Sequence, residues 1–260
     1  MKFFNESEIK YLAGLMDADG HLSFSFTDQR VYLEMGLAAS ESIDKHGYLF
    51  SLGEKAGNVT IRQWEDKNWS PSRQWRVSSK SEINMLLPRI IKHMVIKGTH
   101  WNNLYNKWRE FQTKILTEEE IVYLKTYSTE SRKIAKPLKP KNHPTWAWVA
   151  GYLDGDGSYT FKKHSNPEAK NCMSLKIMVV CHKDDRVGID LLFKAFGGSI
   201  REEKDWLRWN RNLGVADSSF AIEFLRKVHR HSNLKKWKIE QMLAFHNNRL
   251  QRLSVENPTG

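Results

Sequence analysis

Two patterns of apolar positions alternate along the chain, and each occurs twice. From residue 7 to about residue 18, and again from about residue 145 to 155, small and apolar residues run without a polar break longer than one turn. That density predicts a buried helix in each place. Both helices carry small residues four apart, Gly14 with Ala18 and Gly151 with Gly155. Small residues one turn apart let two helix backbones approach closely, and their recurrence points to one helix packing on the other. A glycine follows each run (Gly20, Gly157), the residue suited to a helix C-terminal turn.

After each glycine the period changes to two. Leu22, Phe24 and Phe26 alternate with His21, Ser23, Ser25 and Thr27; Tyr159 and Phe161 alternate with Ser158, Thr160 and Lys162. Next, Val31, Leu33, Met35 and Leu37 alternate with Tyr32 and Glu34, and Met173, Leu175, Ile177 and Val179 with Ser174 and Lys176. Such alternation predicts strands with one apolar and one open polar face. A second helix is expected near residues 42–55 and 184–195. Two further strands are expected near 58–64 with 73–77, and near 199–203 with 208–215. Their outward positions include Arg62, Trp64, Gln74, Arg76, Arg201, Glu203, Arg208 and Asn210. A last amphipathic helix follows Lys97 and Lys235. The predicted class is α+β: two αββαββα units, each with an antiparallel sheet.

The repetition keeps its register. Asp19 and Asp156 lie 137 residues apart, and Lys97 and Lys235 lie 138 apart; Trp75-Arg76-Val77 is matched to Leu213-Gly214-Val215 at the same 138. The units are therefore expected at 1–116 and 144–260. Between them, 117–143 forms a linker. Thr117-Glu118-Glu119-Glu120 has the form of a capping box opening a short helix, and 131–141 is basic and proline-rich, which predicts an extended segment.

Charge changes the picture. Forty-one Lys and Arg face thirty Asp and Glu, a net of +11, which favours a polyanionic partner. No apolar run is long enough to span a bilayer, and the start, Met1-Lys2-Phe3-Phe4-Asn5-Glu6, turns polar at once, so an intracellular or organellar protein is expected rather than a membrane one. The two cysteines, Cys172 and Cys181, fit no zinc spacing and are read as reduced.

Leu12-Ala13-Gly14-Leu15-Met16-Asp17-Ala18-Asp19-Gly20 and Val149-Ala150-Gly151-Tyr152-Leu153-Asp154-Gly155-Asp156-Gly157 resemble the motif of the LAGLIDADG homing endonucleases, and the matched order of elements extends the resemblance over nearly the whole chain. A single Asp-x-Asp-Gly would carry little weight. Two copies, each on a small-residue helix followed by an alternating strand, carry much more. The resemblance implies a saddle of two sheets over duplex DNA, with the motif helices paired at a pseudo-twofold axis. It implies a monomer that cuts a long asymmetric site to a double-strand break with Mg²⁺ or Mn²⁺, two or three ions held between the helices. Asp19 and Asp156 are then metal ligands and catalytic, joined by the carbonyls of Ala18 and Gly155. Lys97 and Lys235 match the basic residue beside the active site, and His182 and Glu41 (or its neighbour Ser40) the polar position after the second strand, where the family's usual glutamine is missing. Asp17 and Asp154 are assigned to structure.

Under this reading DNA is met by His21, Ser23, Ser25, Thr27, Arg30, Tyr32, Glu34, Arg62, Trp64, Gln74 and Arg76 in the first unit. Ser158, Thr160, Lys162, His164, Ser174, Lys176, Arg201, Glu203, Arg208 and Asn210 do so in the second. Arg favours guanine, Gln and Asn favour adenine, and Lys positions phosphates. The alternative is an intron maturase, binding intron RNA, or a regulator on the same fold that does not cut. An unrelated Asp-x-Asp enzyme has no need of two copies in register.

Overall fold

The computed structural model describes residues 4–63, 70–134, 144–163, 173–212 and 218–256. The two motif helices are α1 (Glu6–Ala18) and α6 (Trp146–Gly155). Each starts at a side chain that satisfies a free N–H of the first turn. The Asn5 carboxamide accepts from the Glu8 amide at 2.9 Å while Glu8 accepts from the Asn5 amide at 2.8 Å, a closed capping box. Thr145 Oγ1 accepts from the Trp148 amide at 3.2 Å.

From α1 the first unit runs through β1 (His21–Thr27), β2 (Arg30–Ser40), α2 (Tyr48–Gly53), β3 (Asn58–Arg62), β4 (Ser72–Val77), α3 (Lys80–Ile91) and α4 (Gly98–Phe111), after which α5 (Glu118–Ile134) follows. From α6 the second runs through β5 (Gly157–Lys163), β6 (Met173–His182), α7 (Val187–Phe196), β7 (Ser199–Glu203), β8 (Trp206–Asn212), α8 (Ser218–His229) and α9 (Lys236–Glu256). The expected αββαββ order is present in both, and each unit closes on two helices rather than one. The sheets are antiparallel and share one topology, β1-β2-β4-β3 and β5-β6-β8-β7. Asp28 and Gln29, both at positive φ, make the two-residue turn between β1 and β2 whose twist matches its strands.

Several details differ from the sequence expectations. The helix expected over 42–55 is only Tyr48–Gly53, because the buried Asp44 carboxylate accepts from the Tyr48 and Leu49 amides and Gly47 sits at φ 68°, so the chain turns before the helix starts. Gly20 and Gly157 are not at positive φ; the positions that end α1 and α6 are Asp19 and Asp156 themselves. Glycine is needed there for another reason. A Cβ on Gly20 would lie 2.6 Å from the Met16 Cα, and one on Gly157 2.4 Å from the Leu153 carbonyl oxygen. The partner of Trp75 is Trp209, not Leu213. Both are fully buried, and their indole N–H groups donate to matching carbonyls, Ala56 at 2.7 Å and Gly197 at 2.8 Å. The offset there is 134 because the loops differ in length between the units. Leu213-Gly214-Val215 lie outside the described residues, as do Trp64, His164, Cys172 and 135–143.

The capping box at Thr117 and Glu120 forms as expected and opens a helix of 17 residues. Residues 131–134 belong to that helix rather than to an extended segment. Ser131 is buried and bonds His100 at 3.2 Å, which ties the end of α5 to α4.

The apolar faces of both sheets and the helices behind them form one continuous core. Its centre is the contact of α1 with α6. A methyl group on Gly14 would lie 2.0 Å from the Trp148 carbonyl oxygen, and one on Gly151 2.0 Å from the Tyr11 carbonyl oxygen. The two helices therefore touch backbone to backbone, as the small residues predicted, and this brings the two aspartate-bearing helix ends together.

Candidate active site and sheet faces

Asp19 and Asp156 stand at the C-termini of α1 and α6, where the Asp19 amide donates to Leu15 at 2.9 Å and the Asp156 amide to Tyr152 at 3.0 Å. Because the helices are in backbone contact, an Asp19 oxygen is 3.2 Å from the Cβ direction of Gly155, the residue before Asp156. Asp19, exposed, and Asp156, half-buried, thus stand in one crevice where the two helix ends meet. Burial pushes Asp156 up to about 6, and the charge of Asp19 pushes the same way; Lys97, Lys235 and a hydrogen bond from Tyr152 oppose it. Burial also raises Asp19, against the pull of Lys235 and Lys97.

Each lysine enters this crevice from the turn before the closing helix of its unit. Lys97 Nζ donates to the carbonyls of Met16 (3.2 Å), Ala18 (2.7 Å) and Gly20 (3.1 Å). Lys235 Nζ donates to Leu153 (3.4 Å), Gly155 (2.6 Å) and Gly157 (2.5 Å). These are the same three positions around each aspartate. Neither lysine is a solvated helix-start residue: burial lowers the pKa of both, and nearby aspartates hold it up.

Asp17 and Asp154 hold those turns. Asp17, buried, accepts from the amides of Val95 (2.7 Å), Ile96 (3.1 Å) and Lys97 (2.8 Å). Asp154, also buried, accepts from Ser232 Oγ (2.7 Å), the Asn233 amide (2.8 Å) and the Leu234 amide (3.0 Å). Sequence reasoning missed two further donors. Trp148 Nε1 of α6 reaches Asp17 of α1 at 2.9 Å, and Tyr11 OH of α1 reaches Asp154 of α6 at 2.7 Å. The available signal was register: Tyr11 and Trp148 are 137 residues apart, as are Asp19 and Asp156, and both are aromatic with a polar tip.

Among the described residues no group of three or more His, Cys, Asp or Glu side chains converges. The donor set between the helices is two carboxylates and the carbonyls of Ala18 and Gly155, each with one lone pair left beside its lysine. The charge of Asp19 raises the cost of ionising Asp156, and a cation between them relieves it. All-oxygen donors with positions left for water and phosphate fit a hard divalent ion such as Mg²⁺.

His182 and Glu41 are not drawn into this set. His182 ends β6, with Nδ1 3.3 Å from Asp184 and its ring edge-on to Trp206. Its counterpart by strand register is Ser40, the last residue of β2. Glu41 lies one residue beyond, 3.5 Å from the Arg73 guanidinium.

The register places the other expected residues on one face of each sheet. On the first, Ser23 pairs with Glu34, Ser25 with Tyr32, Thr27 with Arg30, and His21 with Gly36, which pairs in turn with Arg76. Gln74 and Arg62 continue the row through Thr60 and Ser72, two positions not singled out from sequence. Glu34 lies 3.8 Å from both His21 and Arg76. On the second face Ser158, Thr160 and Lys176 share one side of β5 and β6, where the register also pairs Lys162 with Ser174, and Arg201, Glu203, Arg208 and Asn210 share one side of β7 and β8. Glu203 bonds Arg208 at 3.1 Å. Asn210 departs from the expected exposure: it is buried, with its side-chain oxygen unpartnered. Trp206, exposed on this face, was not anticipated.

No protein-family model matches the sequence, and no curated protein does. Solved structures do. The LAGLIDADG meganuclease I-AabMI bound to uncleaved DNA superposes with a TM-score of 0.69 at 17% identity, over 97% of this chain and 92% of that one. I-SmaMI bound to uncleaved DNA target in the presence of calcium ions gives 0.62 at 18%, over 99% and 94%. The LAGLIDADG meganuclease I-CpaMI bound to uncleaved DNA gives 0.63 at 15%, over 95% and 93%. Identities this low speak for architecture, and they agree with the paired helices and twin sheets: the chain has the LAGLIDADG meganuclease fold, with both units in one polypeptide.

Proposed function

We propose that this chain is a site-specific homing endonuclease that binds a long asymmetric duplex and hydrolyses one phosphodiester in each strand. The observation that carries the reading is the pair of aspartates, exposed Asp19 and half-buried Asp156, at the contact of α1 with α6, between two polar sheet faces on a basic chain. The fold shared with DNA-bound meganucleases supports it.

Asp19, Asp156 and the carbonyls of Ala18 and Gly155 would hold Mg²⁺ or Mn²⁺. A divalent ion bound there neutralises phosphate charge and makes a water acidic enough to attack. The chain's own residues do the rest. Lys97 and Lys235 fix the geometry of the helix ends and offset the carboxylate charge next to the phosphate. The sheet faces position the duplex by phosphate contacts, with Lys162 and Lys176 in this role, and read bases through Gln74, Arg76, Arg201 and Arg208. Having both units in one chain lets the two faces differ, so the site read is asymmetric and a monomer suffices.

The test is cleavage of a randomised duplex library with Mg²⁺ by the wild type, Asp19→Asn and Asp156→Asn. The expected result is a double-strand break at one long site by the wild type and none by either variant, with binding retained. Tight binding without cutting by the wild type, in Mg²⁺ and in Mn²⁺, overturns the nuclease reading in favour of a maturase-like or regulatory protein.

A further inference from the structure

The hydrogen bonds behind the active site are crossed between the units. Tyr11 belongs to α1, yet its hydroxyl donates at 2.7 Å to Asp154 of α6, and the Leu234 amide lies 3.4 Å from the same hydroxyl. Asp154 holds the turn 232–234, and the next residue is Lys235, whose ammonium clasps the carbonyls on either side of Asp156. Trp148 belongs to α6, yet its indole N–H donates at 2.9 Å to Asp17 of α1. Asp17 holds 95–97, and Lys97 clasps the carbonyls on either side of Asp19. Tyr11, Trp148, Asp17 and Asp154 are all buried, so no water replaces a lost donor cheaply.

We propose that Tyr11 and Trp148 are positioning residues that hold each lysine-bearing turn from the opposite unit, so that each side of the active site is set by a side chain of the other motif helix. The inference rests on the nuclease reading of the site. Its consequence is a defect with a side. Tyr11→Phe removes one oxygen, leaves the ring packed, and loosens only the Lys235 side. Trp148→Phe loosens only the Lys97 side. A residue that merely stabilised the interface would loosen both sides together.

The experiment has two readouts on the full chain. The first is amide hydrogen exchange at 95–97 and 232–234. Tyr11→Phe is expected to speed exchange at 232–234 roughly tenfold and leave 95–97 unchanged, and Trp148→Phe to do the reverse. Ser232→Ala, which removes a donor to Asp154 from within its own unit, is the control and should match Tyr11→Phe. The second is strand-resolved nicking of the duplex selected from the library. Tyr11→Phe and Trp148→Phe should each slow one strand roughly tenfold, about 1.4 kcal/mol in the barrier, and on opposite strands, with binding unchanged. Equal exchange changes at both turns, or changes on the donor's own unit, overturn the proposal, as does equal slowing of both strands. A wild type that cuts neither strand sinks the nuclease reading alone, because the exchange pattern still decides whether the turns are held across the interface.

Discussion

Replacing Asp156 with asparagine should stabilise the protein while abolishing its activity, and the gain should depend on pH. Asp156 is lifted from 3.8 to about 6, by burial first and by the charge of Asp19 second. A carboxyl raised by about two units costs about 3 kcal/mol when forced to ionise. The sign follows from proton binding. Between pH 4 and 6 the folded chain binds more protons at this group than the unfolded chain, so its contribution to stability is intact below about 4 and lost as pH rises through about 6. Asparagine carries no charge at any pH. The stability of Asp156→Asn minus that of the wild type should therefore be near zero at pH 4 and rise to about 3 kcal/mol by pH 7.5. Urea unfolding in EDTA from pH 4 to 8, followed by tryptophan fluorescence, measures it. Adding Mg²⁺ at pH 7.5 should restore the wild type toward the variant, because a ligand that binds only the folded state stabilises it by mass action. A difference that is flat across this range, or that falls with pH, would refute the reasoning that burial and the charge of Asp19 together raise Asp156.

Other perturbations have equally definite outcomes. Gly151→Ala should lower stability by at least about 2 kcal/mol despite the better helix propensity of alanine, because its methyl meets a backbone oxygen at 2.0 Å and cannot be accommodated by a side-chain shift; calorimetry would show the loss, and an unchanged Tm would contradict it. Asp154→Ala should cost about 4 kcal/mol in urea unfolding, since it strands the buried Tyr11 and Ser232 hydroxyls and Leu234 amide and the half-buried Asn233 amide. Lys176→Ala should weaken binding to all duplexes alike and reduce the slope of log affinity against log salt by about 0.9, whereas Arg76→Ala should cost about 1–3 kcal/mol only on duplexes with the preferred base at one position. Salt titrations on preferred and scrambled duplexes separate the two, and identical behaviour would argue against the assignment of lysine to phosphate and arginine to base.

Much of this architecture was legible because one pattern was written twice. The strands announced themselves by alternation, as in Val31, Leu33, Met35 and Leu37, all of which are buried. The contact of α1 with α6 was legible from Gly14 and Gly151, since only close backbone approach demands both. What failed was register across loops of unequal length: Trp75 matches Trp209, and the buried indole bonded to a carbonyl identifies the pair better than any constant offset. The early part of the expected second helix was lost to Asp44, whose capping of Tyr48 and Leu49 is visible only once Arg73 is seen against it. The anchoring of Asp17 and Asp154 by side chains 131 and 143 residues away was beyond any local pattern, because the bond exists only when the two helices meet.

The contact between Ala18 and Gly155 bears on ancestry and on engineering. A Cβ at 155 would fall 2.4 Å from the Ala18 Cβ, so the first unit cannot pair with a copy of itself at this spacing. The halves have diverged into a matched pair of unlike parts. Hybrids that join either half to the half of another such protein must inherit the counterpart of position 18 or 155, or be recut at the seam.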